Sequence, residues 1–289
     1  MEQTWIGEGA PLGASKAMIE AYRNRLDQTP KNGDIDITVI CNDVSMGSER
    51  DIVNDVYGSR DDLPFDVKVY RELGTAELRN VLSDDADFLH YIGHIDSGGF
   101  ECMDGRLDAG TLDATGITSF FLNACTSYDQ GMKLIEAGSL GGVVTLQDVI
   151  NSGAERIGKS LAKLLNLGFP LRAALNIAKR ESIMGGHYLV IGDGNLDIAQ
   201  SESLMPVSYE LKETRDGYML KQVTYPNREC GIGTIAYPFI DSDDECYLAS
   251  GQTTTCHLTD DDELHDILSS RNVPVYYKGE LSWSFGVKI

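Results

Sequence analysis

Residues 88–94 read Phe-Leu-His-Tyr-Ile-Gly-His, and residues 120–125 read Phe-Phe-Leu-Asn-Ala-Cys. Each is an apolar, β-prone run that ends on a reactive side chain, His94 in the first and Cys125 in the second. Short runs that are apolar on both faces are what strands buried in the middle of a parallel sheet require. The spacing between His94 and Cys125 leaves room for one crossover connection between neighbouring strands.

Outward from these runs, strand and helix patterns alternate. Residues 13–26 predict a helix, 35–41 a strand, 48–57 a helix with Ser48 as N-cap, 66–72 a strand and 75–82 a helix. After the strand at 88–92 come strand 118–124, helix 129–137, strand 142–146, helices 153–167 and 171–184, and strand 187–191. This alternation predicts an α/β fold, a mostly parallel sheet with helices on both faces. From about residue 206 the pattern changes to short β-like runs (207–212, 219–225, 231–239, 246–249 and 274–287) with one helix at 260–269. The expected organisation is a helical lead-in at 1–34, the main domain at 35–205 and a smaller β-rich region at 206–289.

The chain has 289 residues, of which 42% are hydrophobic, enough for a full core. Acidic residues number 45 against 24 basic, a net charge of −21. Such a surface repels a phosphate backbone, so direct nucleic-acid binding is not expected. Runs such as 242–245 and 260–263 read as solvated surface. An acidic exterior suits a high-salt cytoplasm, where screening weakens self-repulsion, so a halophilic origin is expected. No stretch approaches the about 18 to 20 apolar residues that span a membrane. Neither does the N-terminus show a secretory leader, and a cytoplasmic location follows. The six cysteines, Cys41, Cys102, Cys125, Cys230, Cys246 and Cys256, include no CxxC pair. A disulfide framework is therefore not expected.

In open α/β sheets, working residues gather at the carboxyl ends of strands, where His94 and Cys125 fall. A thiolate attacks carbonyl carbon, a histidine can take its proton, and a helix starting near Tyr128 can lower the thiol pKa. Taken singly, a buried cysteine is more often a small hydrophobe and a histidine beside a glycine more often structural. Their pairing at consecutive strand ends is what argues for catalysis.

The ordered series His-Tyr-Ile-Gly-His94, Phe-Leu-Asn-Ala-Cys125 and Gly138-Ser-Leu-Gly-Gly-Val-Val-Thr-Leu-Gln-Asp148-Val resembles the motifs of the CHAT family. That family groups with caspases, separases and gingipains as cysteine peptidases. Residues 158–165, Gly168-Phe169-Pro170, 173–178 and 189–193 continue the likeness, which covers roughly residues 35–197; with the acidic charge it suggests a haloarchaeal member. The resemblance implies a caspase-like fold, with His94 as base or orienter, Cys125 as nucleophile, and the N–H groups of Ile95 and Cys125 as oxyanion hole. The family usually has glycine after the histidine, and Ile95 departs from that; a β-branched residue takes positive φ only at a cost.

Peptidases of this group that cut after Arg or Lys line the first pocket with acids, which makes Asp96, Asp148 and Asp129 candidates, with Asn123 at a position where relatives carry aspartate. The implied partners are a protein substrate and a regulatory domain or subunit, with no cofactor. The abrupt start of the chain fits a piece of a longer protein. The competing reading is an inactive CHAT-like scaffold for protein interaction, favoured by Ile95. An α/β-hydrolase is disfavoured by the lack of any GxSxG.

Other signals are declined. His90 and His94 lie about 13 Å apart on a strand, too far for a metal pair, so His90 reads as structural. Cys230, Cys246, Cys256 and His257 match no zinc spacing. Residues 7–13 resemble a phosphate-binding turn but follow no strand. Residues 193–197 start like a calcium loop yet put Ile198 where glycine is needed. No metal site is expected.

Overall fold

The computed structural model describes residues 3–11, 13–28, 33–43, 56–57, 59–60, 62–227, 230–231, 233–236, 246–249 and 251–287. They fall into two units, residues 2–166 with 170–199, and residues 167–169 with 200–289. The helix expected at 48–57 lies largely outside the described residues.

In chain order the first unit contains β1 (Thr4–Trp5), β2 (Ser15–Lys16), α1 (Ile19–Asp27), β3 (Ile35–Cys41), β4 (Phe65–Arg71), α2 (Thr75–Ser83) and β5 (Ala86–Ile92). There follow β6 (Ile95–Asp96), β7 (Gly99–Cys102), β8 (Gly105–Leu107), β9 (Ile117–Asn123), α3 (Tyr128–Glu136), β10 (Gly141–Thr145), α4 (Asn151–Asn166), α5 (Leu171–Ala178) and β11 (Tyr188–Gly192). Eight strands form one sheet in the order β1-β2-β11-β10-β9-β5-β3-β4. From β4 through β3, β5 and β9 to β10 every pair is parallel; β11 then runs antiparallel to β10.

Strand alternation sorts the apolar residues onto two faces. Ile40, Leu89, Tyr91, Phe120, Leu122, Val144, Leu189 and Ile191 share one cluster with Ala21 of α1, Leu78, Val81 and Leu82 of α2, and Leu134 and Ile135 of α3. Helices α4 and α5 pack together, and α5 meets β10 and β11. A fully buried leucine such as Leu78 or Leu82 contributes about 1.5 to 3 kcal/mol. The first unit is thus the mixed α/β fold expected, a large, mostly parallel sheet flanked by helices.

Two helices differ from expectation. The one expected from residue 13 begins at Ile19, because Ser15 and Lys16 are drawn into the sheet, Lys16 opposite Ile191. The one expected to reach residue 184 stops at Ala178. Ser182 there turns extended and its side chain accepts the Met184 N–H, opening a separate short turn at Ile183–His187. Residues 95–107, which show no clear sequence pattern, form a three-stranded antiparallel meander, β6-β7-β8. It depends on Gly99, whose φ is 117° and where a Cβ would stand 2.1 Å from the Leu107 carbonyl oxygen. The calcium-like stretch is a structural clamp: buried Asp193 takes the Asn195 N–H and the Arg25 guanidinium, tying α1 to the end of β11.

The second unit contains β12 (Val207–Thr214), β13 (Gly217–Thr224), β14 (Ile235–Ala236), β15 (Tyr247–Leu248), β16 (Thr253–Thr259), α6 (Asp261–Ser270), β17 (Pro274–Tyr277) and β18 (Glu280–Trp283). Five strands form a sheet in the order β16-β13-β12-β17-β18, and β14 and β15 pair separately. Leu264, Ile267 and Leu268 of α6 share a core with Val207, Tyr209, Leu211, Leu220 and Val275. The acidic run 260–263 stabilises the start of this helix. Asp260 caps α6 by accepting the Glu263 N–H, and the next three acids sit at the positive end of the helix.

Candidate active site

The parallel strands β3, β5, β9 and β10 bring their carboxyl ends to one rim. The last paired row across the first three is Cys41–Ile92–Asn123. Two residues beyond it along each chain stand Asp43, His94 and Cys125, past the strand ends. Pairing continues past the formal strand end of β3, since Asn42 N–H donates to Ile92 O at 2.9 Å. His94 and Cys125, singled out from sequence, each follow one of the adjacent strands β5 and β9 at this rim, and Asp43 follows β3 beside them.

His94 Nε2 lies 3.1 Å from Asp43 Oδ2, with the acid side chain 9% and the imidazole 56% exposed. The acid stands against the ring as a charge partner that can orient the imidazole and stabilise a positive charge on it. The Asp43 signal is present in the chain: the run 35–41 is a third apolar strand in the series, and Asp43 follows its end. Reading the sequence alone singles out only the other two strand ends.

Cys125 is half-buried. Val149 N–H lies 3.4 Å from Sγ and Val149 O 3.8 Å from it. The turn beneath is strained, because Thr126 has φ of 47°, a left-handed conformation that costs a β-branched residue about 1 to 2 kcal/mol. A buried network offsets it. Ser127 Oγ donates to Leu122 O, Thr145 Oγ1 accepts from Ser127 N, and Thr145 Oγ1 itself donates to Ala124 O. The turn is thereby fixed on both sides of Cys125, and α3 starts three residues after the thiol.

Ile95 lies in β6, buried in the core cluster and opposite Phe100. It is absent from the described non-glycine residues with positive φ, which are Glu72, Thr126, Leu204 and Lys278. Glu101 N–H donates to His94 O, so 94/101 is a hydrogen-bonded pair and 95/100 is not. The backbone of Ile95 therefore faces away from β7. On that outer edge Thr126 Oγ1 reaches Ile95 O at 3.5 Å, so the edge looks toward the Cys125 turn. Gly93 is needed for close approach, since a Cβ there would sit 2.8 Å from the Tyr91 hydroxyl, which donates to His94 O.

The four substrate-binding candidates separate. Asp96 is exposed on the meander, where its carboxylate takes the Gly98 N–H and the Arg106 guanidinium; these two contacts hold its pKa below the usual value. Asn123 is buried, its amide donating to Ala154 O and accepting from Tyr188 O–H, so it belongs to the packing beneath the rim. Asp148 is exposed and immediately precedes the residue that touches Sγ. Asp129 is exposed in the first turn of α3. His90 is fully buried, its Nδ1 3.2 Å from the Tyr57 hydroxyl and its ring stacked on Phe121, and burial lowers its pKa to about 3. Among the described residues no cluster of His, Cys, Asp and Glu could hold a metal ion, and no helix is long and apolar enough to cross a membrane.

No family model matches the sequence, and no curated protein does. Among solved structures, the chain is similar to the Arg-specific cysteine proteinase gingipain R, with 10% identity and a TM-score of 0.49 over 92% of this chain and 75% of that one. It is also similar to a chain of the Saccharomyces cerevisiae separase–securin complex, with 11% identity and a TM-score of 0.48 over 62% of this chain. The chain spans only 14% of the length of that one. A complex of Porphyromonas gingivalis RgpB pro- and mature domains gives 10% identity and a TM-score of 0.42 over 84% of this chain and 68% of that one.

Proposed function

We propose that the protein is a caspase-like cysteine endopeptidase of the CHAT kind, with Cys125 as nucleophile, His94 as general base and acid, and Asp43 as the residue that positions His94. The observation that supports this reading is that Asp43, His94 and Cys125 each lie two residues past the last paired row of the adjacent strands β3, β5 and β9, with Asp43 against His94. The sequence resemblance, carried by the motifs that end on His94 and Cys125, assigns these two residues the same roles.

The chemistry follows from these three residues. His94 takes the thiol proton while Asp43 stabilises the imidazolium that forms. The sulfur bonds to the scissile carbonyl carbon, and the carbonyl π electrons move onto oxygen. The Ile95 and Cys125 N–H groups hold that oxyanion; the outward edge of β6, facing the Cys125 turn, supports the role of Ile95. Collapse of the intermediate breaks the C–N bond, with His94 delivering its proton to the leaving amine. Water, deprotonated by His94, then hydrolyses the thioester and frees Cys125. No cofactor enters these steps.

Asp148 is the acid we assign to a preference for basic residues at the cleavage site. It is exposed beside the sulfur contact, whereas Asp96 is engaged by Arg106 and Asn123 is buried. The substrate is a protein partner, and control comes from a regulatory domain or subunit. The net charge of −21 supports a halophilic, cytoplasmic setting.

The test is labelling with iodoacetamide at high salt in the wild type, Cys125→Ala and His94→Ala. Selective labelling of Cys125 that falls when His94 is removed supports the enzyme. Labelling no faster than at the other cysteines, and indifferent to His94, leaves the inactive scaffold.

A further inference from the structure

The strand β11 runs antiparallel to β10, so its start, rather than its end, lies at the catalytic rim. His187 immediately precedes that start, and its backbone O accepts the Leu146 N–H at 2.8 Å. The half-exposed imidazole turns onto the β10–α4 loop, where Nδ1 lies 3.1 Å from Asp148 O. A carbonyl oxygen only accepts, so Nδ1 carries the proton and donates. Both the imidazolium and the Nδ1–H tautomer of the neutral ring can do so, and the contact does not require a charged ring.

The Asp148 carbonyl belongs to the same peptide unit as the Val149 N–H, and that N–H lies 3.4 Å from Cys125 Sγ. One planar amide thus has its oxygen held by His187 and its hydrogen directed at the sulfur. We propose that His187 is a positioning residue for Cys125, acting through the Asp148–Val149 peptide. This rests on the reading of Cys125 as the nucleophile.

Two physical effects carry the assignment. The first is orientation. Val149 O also lies near Sγ, at 3.8 Å, so this short loop can offer the sulfur either a donor or an acceptor. A thiol tolerates both, whereas a thiolate is stabilised by the donor and repelled by the acceptor. Holding Asp148 O on His187 keeps the N–H toward the sulfur. The second is polarisation: donation to the amide oxygen strengthens the same amide as a donor, as in other hydrogen-bond chains. The titratable side chains at the neighbouring rim positions are His94, just past β5, with Asp43 against it, and exposed Asp148 on the loop itself. His187 therefore works on the opposite side of Cys125 from His94.

The experiment measures the rate of Cys125 alkylation by iodoacetamide against pH in the full chain, with the Cys125 peptide followed by mass spectrometry. The variants are His187→Ala, His187→Asn, which keeps an N–H donor near the Nδ1 position, and His94→Ala. The alkylation midpoint of His187→Ala should rise by about 0.5 to 1 unit, slowing the reaction at neutral pH about three- to tenfold. His187→Asn should recover most of that loss. An unchanged profile in His187→Ala overturns the proposal, and so does an equal shift in the Ala and Asn variants, which would mean lost packing. The peptidase reading fails separately, if His94→Ala leaves Cys125 reactivity unchanged; a retained His187 effect would then show the relay acting on a non-catalytic thiol.

Discussion

Asp43 Oδ2 and His94 Nε2 meet at 3.1 Å where β3 and β5 end, the acid nearly buried and the imidazole open to solvent. A pair with one exposed partner is screened, so it is worth about 1 kcal/mol. Asp43→Asn keeps the shape and removes the charge. It should slow Cys125 alkylation at neutral pH about fivefold, the rate equivalent of that energy, with the folded state intact by circular dichroism. His94→Ala, which removes the base itself, should cost more.

Thr145 connects two strand ends beneath the site by donating to Ala124 O while accepting from Ser127 N. Thr145→Val preserves volume and leaves both buried partners unsatisfied. The expected loss is about 2 kcal/mol in urea denaturation, and Cys125 labelling should become less selective as the Thr126 turn relaxes.

Burial holds the folded-state pKa of His90 at about 3, against 6.5 for an ordinary histidine. Below pH 6.5 the unfolded chain binds a proton that the folded chain refuses, so stability falls as pH drops from 6.5 toward 3. His90→Gln does not titrate. The stability difference between wild type and this variant should move against the wild type by about 2 to 3 kcal/mol between pH 6.5 and 4.5. Parallel pH curves would show that His90 is not the group responsible.

Gly99→Ala forces a Cβ against the Leu107 carbonyl in a residue whose φ is 117°. Backbone cannot yield there as a flexible side chain would, so the change should cost more than about 2 kcal/mol, read as a lower melting temperature. Gly98→Ala is the control: its φ is not in the left-handed region and its Cβ would meet the Asp96 carboxylate and the Arg106 side chain, which can shift.

By itself the sequence determined the α/β class, and it marked His94 and Cys125 as residues at strand ends. Those features are local: a strand buried on both faces is an unbroken apolar run, and the rim begins where the run stops, as at Gly93-His94 and Ala124-Cys125. Only the tertiary structure decided which strand ends are neighbours. Asp43 became a partner of His94 because β3 pairs with β5, and His187 reached the rim because β11 runs antiparallel to β10. Register and strand direction depend on packing between segments remote in the chain, and no short window of residues carries them. The same physics drew Ser15 and Lys16 out of an expected helix into the sheet edge, and separated exposed Asp148 from engaged Asp96 and buried Asn123.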